Sequence, residues 1–326
     1  MAGVRPLDAP PLRVRSTYSD GFGQNLAAAP TGELWVAATS GIAHVRDGDE
    51  LSFSTSITGY SSGPPSFSDD RRTVMVGGYV IVLATGAATG GWSEPAWLTA
   101  SIESTAVEPS DFDMPYIALV PGAGLAVVES RYLPPRGTNR PERHYDGPRA
   151  QLLLVDLSTH ELAAVLLANA EQIGPRAIDV NAMAVAFGAV RQVTTWAAGT
   201  GERIGSWKAP AIVDAVALHP SGATLALLDR TGTVTTSDLT GAVTNRWSAH
   251  ADGGASLAWS PDGAWLATGS REGLVRVWSM TDDGPTLLGE HEGPPIGGFA
   301  ARADGRTLLV AAATQSGGIA LLELPD

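Results

Sequence analysis

A proline–glycine turn recurs in this chain at a spacing that admits few architectures. Residues 260–263 read Ser-Pro-Asp-Gly, and residues 219–222 read His-Pro-Ser-Gly. Their glycines, Gly222 and Gly263, begin a series that Gly305 continues at almost the same interval. Beyond each of the first two, at one and the same offset, comes another glycine, Gly232 and Gly273. Proline presets φ and glycine accepts positive φ, so both kinds of site end strands. Short apolar runs lie between them; 255–259, 265–268 and 274–278 each read as one strand.

A period of about 40–45 residues built from some four short strands is the signature of propeller blades. Seven units fit the frame: 24–54, 64–100, 109–168, 175–207, 213–241, 250–280 and 296–324. Runs such as Leu-Leu-Leu-Val-Asp-Leu (152–157) are continuously apolar rather than alternating. That pattern suits inner strands covered on both faces by neighbouring blades. Trp97, Trp207, Trp247 and Leu288 fall near unit ends, where one large side chain covers a sheet edge. The last unit is a strand short, and residues 11–18 read as a strand ahead of the first unit. The expectation is therefore an all-β chain, a seven-bladed β-propeller of four-stranded blades. Residues 1–326 form its single domain, and the N-terminal strand 11–18 closes the ring by completing the last blade.

Residues 250–280 carry a family resemblance. His250, the Ser-Pro-Asp-Gly turn, Thr268-Gly269-Ser270 and Val275-Arg276-Val277-Trp278 resemble a repeat of the WD-repeat (tryptophan-aspartate repeat) propellers. The resemblance implies a buried hydrogen-bonded set of His250, Ser270, Glu272 and Trp278. Ala249 stands where the family has Gly, Glu272 where it has Asp, and Ser279 follows the tryptophan where it has Asp. His291, one repeat period after His250, matches it by spacing, and Trp196 matches Trp278 in role. The first three units match by rhythm alone, which leaves six or eight blades as alternatives.

Composition narrows the function classes. Cysteine is absent, which removes disulfides and thiolate chemistry. The formal net charge is −13, and such a surface repels phosphate backbones and anionic lipid. General nucleic-acid binding and membrane binding are not expected. The N-terminal segment lacks the apolar core of a signal peptide, so a cytoplasmic location is expected. Lys208 is the one lysine among otherwise arginine-based cations, which fits a GC-rich, bacterial coding genome.

Motifs for chemistry are sparse. No pair of the six histidines has metal-ligand spacing, and neither HExxH nor GxSxG occurs. His160 and His219 sit where turns are due. The glycine-rich stretches 86–91, 199–201 and 316–318 read as turns between strands. Asp69-Asp70 and Asp282-Asp283 read as solvated turn caps, and Asp111 and Asp113 share one face by alternation. No cofactor or metal is expected. An enzyme or small-ligand binder (hydrolase, lyase or lectin-like) working in the central channel is the rival reading, with Asp113, His44 and Asp229 as its candidates.

One segment breaks the frame. Residues 131–149 interrupt a connection that other units close within a few residues, and they hold five arginines and four prolines. Long loops in compact domains are usually functional or disordered, so a solvated insertion is the alternative reading, and arginine and tyrosine are enriched in binding hot spots. Arg131, Tyr132, Arg136, Arg140, Arg143, His144, Tyr145 and Arg149 are the candidate partner-binding residues. The resemblance sets this loop on the face where WD-repeat propellers often receive partners. A non-catalytic protein–protein interaction scaffold, part of a larger bacterial assembly, is expected. Its target would be an acidic protein segment through paired arginine–carboxylate contacts, or a phosphorylated one.

Overall fold

The computed structural model describes residues 178–294 continuously and, before and after them, mainly the strands: 10–18, segments between 23 and 91, 112–132, 150–159, 161–168, 296–301, 306–312 and 319–324. These residues form seven four-stranded antiparallel sheets. Sheets 1 to 6 span residues 23–55, 66–91, 112–167, 178–208, 213–248 and 254–292. Each is a simple meander whose strands, a to d, follow chain order. In such a meander the d–a and b–c connections emerge at one end of the sheet and the a–b and c–d turns at the other.

Sheet 7 departs from the meander in the way its short last unit requires. Its order is Arg13–Tyr18, Ile319–Glu323, Thr307–Ala312, Ile296–Ala301. The N-terminal strand pairs with Ile319–Glu323, from Arg13 opposite Glu323 to Tyr18 opposite Ile319. The segment before it has a second attachment that the sequence did not suggest. Leu12 N donates to the Glu290 carbonyl (2.9 Å) and Glu290 N to that of Pro10 (3.3 Å). Residues 10–12 thus run along the outer strand of sheet 6, Gly284–Glu292, before the chain crosses to sheet 7. Leu12 is buried in the apolar cluster shared by those two sheets.

The sheets pack through their sides. The a strands of sheets 2 to 7 touch from each sheet to the next, and that of sheet 1 packs against that of sheet 7. Apolar clusters lie between consecutive sheets. Leu152, Leu154, Phe187 and Trp196 join sheets 3 and 4, and Leu218, Leu225 and Leu227 pack with Val193 between 4 and 5. Leu228 and Leu266 lie between 5 and 6. Strands b and c are sandwiched there, so Trp265–Ser270 is buried throughout. The d strands Arg203–Lys208 and Val243–Ser248 are mostly exposed, with Trp207 and Trp247 half-buried. Trp247 meets Trp278 of the next sheet at 5.8 Å between ring centres. This is the propeller arrangement, with each sheet stabilised mainly by its neighbours.

The proline–glycine turns behave as their chemistry predicts. Gly263 N donates to the Ser260 carbonyl (2.9 Å), with Gly263 at φ 75°, a conformation costly for other residues. Ser260 Oγ donates to Asp262 Oδ1 (2.6 Å) and accepts from Trp265 N (3.0 Å). The stretch 86–91, read as a turn, is largely a strand instead: Ala87–Gly91 is the outer strand of sheet 2. An edge position tolerates the small residues that lower its propensity. Trp97, Asp69-Asp70, Asp111, His160 and 316–318 lie outside the described residues. No helix among the described residues is long and apolar enough to cross a membrane.

Candidate functional site

The hydrogen-bonded set of the sixth sheet assembles around a different oxygen from the one the resemblance implied. His250 Nε2 lies 2.9 Å from Thr268 Oγ1, and Trp278 Nε1 donates to the same oxygen at 3.0 Å. Thr268 sits mid-strand between them, all three buried. Ser270, two residues on, serves the b–c turn, accepting the amides of Glu272 (3.2 Å) and Leu274 (3.0 Å). Glu272 enters through its amide, which also reaches Asp252 Oδ2 (3.2 Å). His250 Nδ1 is buried without a hydrogen-bond partner among the described residues. Burial, reinforced by the Arg276 guanidinium, pushes the imidazole down to about 4.

Strand registers divide the tryptophan-aspartate signature between sheets. Trp265 pairs with Ser279 in sheet 6, Thr224 with Asp238 in sheet 5, Leu125 with Asp156 in sheet 3 and Ala184 with Ala197 in sheet 4. Sheets 4 and 6 therefore have the tryptophan, and sheets 3 and 5 the aspartate. Asp156 caps its turn through the amides of Ser158 (2.8 Å) and Thr159 (3.0 Å), and Asp238 does the same for Thr240 and Ala242. The hydroxyl of Ser158 and these amides hold the Asp156 carboxyl down at about 2. His291 is the histidine that spacing misplaces. It pairs with Val275 as Trp247 pairs with Val234, so it is the equivalent of Trp247, not of His250.

The same registers line up a row at the d–a/b–c end. Six residues on from Leu125, Ala184, Thr224 and Trp265 stand Arg131, near the end of its strand b, and Val190, Arg230 and Arg271, each the first residue past theirs. Arg230 and Arg271 converge on one carboxylate. Arg230 Nε and Nη2 donate to Asp214 Oδ1 (3.3 and 3.0 Å), and Arg271 Nη2 to Asp214 Oδ2 (2.8 Å). Arg271 Nε is also held by the Gly254 carbonyl (3.1 Å). The two arginine side chains remain 52 % and 48 % exposed, Asp214 only 11 %. Val190 is 61 % exposed at φ 52°, a left-handed conformation that costs a β-branched residue about 1–2 kcal/mol. Its carbonyl accepts the Val213 amide (2.7 Å), tying this turn to sheet 5.

Of the sequence-predicted partner residues, Arg131 and Tyr132 end strand b of sheet 3, Leu125–Tyr132, whose partner strand c is Ala150–Asp156. Arg136, Arg140, Arg143, His144, Tyr145 and Arg149 lie between them, outside the described residues. Of the channel candidates, Asp229 is buried and engaged: its Oδ1 accepts the amides of Thr231 (2.9 Å) and Thr233 (3.1 Å) and the Thr231 hydroxyl (2.6 Å). His44 lies on strand c of sheet 1 and Asp113 on strand a of sheet 3, opposite Arg131. Among the described residues no group of three or more His, Asp or Glu is placed to hold a metal ion.

The opposite end is tied by polar contacts across sheets 4, 5 and 6. Asn181 Nδ2 donates to the His219 carbonyl (3.1 Å). His219 Nδ1 accepts the Ser221 amide, which assigns the proton to Nε2, 3.3 Å from the Gly263 carbonyl. Its ring meets Trp259 edge-on at 4.8 Å. Nearby, Asp179 accepts the amide of Leu218, across the sheet boundary, at 2.6 Å, and that of Val180 at 2.9 Å. Burial pushes this carboxyl up to about 6 against both donors.

Asp179 and His250 give opposite pH dependences. A raised carboxyl loses stability as pH climbs from the ordinary 3.8 to about 6, because the unfolded chain gives up the proton first. A lowered imidazole gains stability from about 4 to 6.5, because there the unfolded chain holds the extra proton. His291, also lowered by burial, acts in the same sense as His250. One proton changes the slope by about 1.4 kcal/mol per pH unit. Urea unfolding at pH 4, 5 and 6 is expected to show a steeper rise in stability for Asp179→Asn than for the wild type, by up to that slope. Parallel profiles would show that Asp179 does not titrate in this window.

The fold and its signature also appear in other proteins. Residues 241–279 match the family model "WD domain, G-beta repeat". They are a WD repeat, and the fold around them is a β-propeller. Over 39 residues the chain is 46 % identical to the F-box-like/WD repeat-containing protein TBL1X of Mus musculus, which is 12 % of this chain and 7 % of that protein. A chain in a crystal structure of the mitotic checkpoint complex superposes with a TM-score of 0.69 at 16 % identity, covering 100 % of this chain and 96 % of that one. WD-repeat propellers commonly serve as platforms for other proteins.

Sequence reading missed Asp214, Arg230, Arg271 and the role of Thr268. A signal was present for the arginines, since Arg230 and Arg271 are separated by the same interval as Gly222 and Gly263 and so obey the repeat. Nothing local marks Asp214 as their common partner, because it is 57 residues from Arg271.

Proposed function

We propose that this single-domain propeller is a non-catalytic platform that binds an acidic or phosphorylated protein segment across its d–a/b–c end. The carrying observation is the row of arginines at equivalent positions, Arg131, Arg230 and Arg271, at one end of three sheets. Arg131 opens the 131–149 connection, so that loop's cations start from the same row. The protein is acidic as a whole, with a formal net charge of −13, yet five of its 21 basic residues lie in residues 131–149. Arginine forks recognise carboxylates and phosphates in fixed geometry. Docking on several sheets at once suits a rigid ring, whose loops need little reorganisation to meet a partner.

The test is affinity capture from the native host's lysate with the intact protein and with a variant whose residues 131–149 are replaced by a Gly-Ser turn. Thermal unfolding controls for folding. Loss of a specific, identified protein from the variant at unchanged thermal stability is the expected result. Equal capture by both would remove the loop from the binding face.

A further inference from the structure

We propose that Arg230 and Arg271, clamped by Asp214, form an oxyanion subsite between sheets 5 and 6, which takes a carboxylate or phosphate group from the partner. This deepens the platform reading and rests on it for the identity of the binding face.

The trio brings two cations onto one anion and so carries a net positive charge. As a tie between sheets the second arginine is superfluous, because one guanidinium suffices to neutralise the mostly buried Asp214 carboxylate and the two half-exposed guanidiniums repel one another. As a receptor it is well arranged. Both oxygens of Asp214 are used, Oδ1 by Arg230 and Oδ2 by Arg271. The bonds described above occupy Nε and Nη2 of each arginine, and Nη1 of each has no protein partner among the described residues. A second oxyanion would complete the charge balance and find donors already held in place. Holding long side chains beforehand removes much of the ordering cost of binding.

The backbone supports the clamp. Asp252-Gly253-Gly254 links sheets 5 and 6 and lies against Arg230. A Cβ on Gly253, which is at φ 97°, would come within 2.8 Å of the Arg230 carbonyl. That close passage delivers the Gly254 carbonyl to Arg271 Nε. Of the acidic residues around the clamp, Asp229 precedes Arg230, is buried and holds its own turn through Oδ1, Glu272 follows Arg271, and Asp252 has Oδ2 engaged by the Glu272 amide.

The test is an NMR titration of arginine Nε–H resonances in the full chain at constant ionic strength. One arm uses inorganic phosphate and the other a hexaglutamate peptide. Saturable shifts at Arg230 and Arg271, with a dissociation constant on the order of millimolar, are expected, with little change at Arg203 or Arg246 on the outer strands. The Arg230→Gln/Arg271→Gln variant, whose amides can still donate to Asp214, should lose the saturable phase while keeping a cooperative, if lower, thermal transition. Response to phosphate alone would assign a phosphorylated ligand, and response to both an acidic one. Linear shifts of equal size at all arginines, or saturation that survives in the double variant, would overturn the subsite. Neither result depends on the 131–149 loop, so the subsite can fail while loop-dependent capture still supports the platform.

Discussion

Removing residues 1–18 is expected to abolish cooperative folding. The cut takes away the fourth strand of sheet 7 together with the strap on sheet 6. It exposes the edge of Ile319–Glu323, including the fully buried Leu321 and Leu322, and withdraws Leu12 from the cluster between those sheets. Burying one such side chain contributes about 1.5–3 kcal/mol, and the ladder bonds add to that. A whole domain retains only about 5–15 kcal/mol, so the combined loss is of the same order as the total. Circular dichroism melting and size-exclusion chromatography should show a broad, early transition and association through the open edge. A synthetic peptide of residues 1–18, added in trans, should restore a cooperative transition. A truncated protein that melts like the intact one would show that the ring does not depend on this strand.

Thr268→Val should be the most costly isosteric change in sheet 6. The substitution keeps shape but deletes the oxygen shared by His250 Nε2 and Trp278 Nε1. Two buried groups then lack partners, and each unsatisfied group costs about 1–3 kcal/mol. The expected loss is about 2–5 kcal/mol by urea unfolding, with little change in slope. Thr268→Ser keeps the oxygen and should recover most of it. Ser270→Ala is expected to cost less, because it unties turn amides near the surface rather than core groups. A Ser270→Ala penalty larger than that of Thr268→Val would return the shared oxygen to Ser270.

Strand rhythm, turn chemistry and the missing fourth strand of the last unit were legible because they are local. Proline and glycine act on their own dihedrals, and an apolar run between two turns has few choices but a buried strand. The pairing of residues 11–18 with the last unit followed from counting strands. The strap of residues 10–12 on sheet 6 did not, because it depends on how two sheets stand side by side.

Spacing alone misled wherever strand lengths differ. His291 repeats His250 at one full period, yet the long outer strand of sheet 6, Gly284–Glu292, carries it into the place of Trp247. The choice of Thr268 over Ser270 was equally hidden, since both hydroxyls lie on one strand and only the approach of His250 and Trp278 selects between them. The sequence by itself determined the repeat, the all-β class and the position of the arginine-rich loop, all properties of residues close in the chain. Tertiary structure alone decided that Asp214 gathers Arg230 and Arg271, because a carboxylate chooses partners by distance in space, and these three come from one strand and two turns of two sheets.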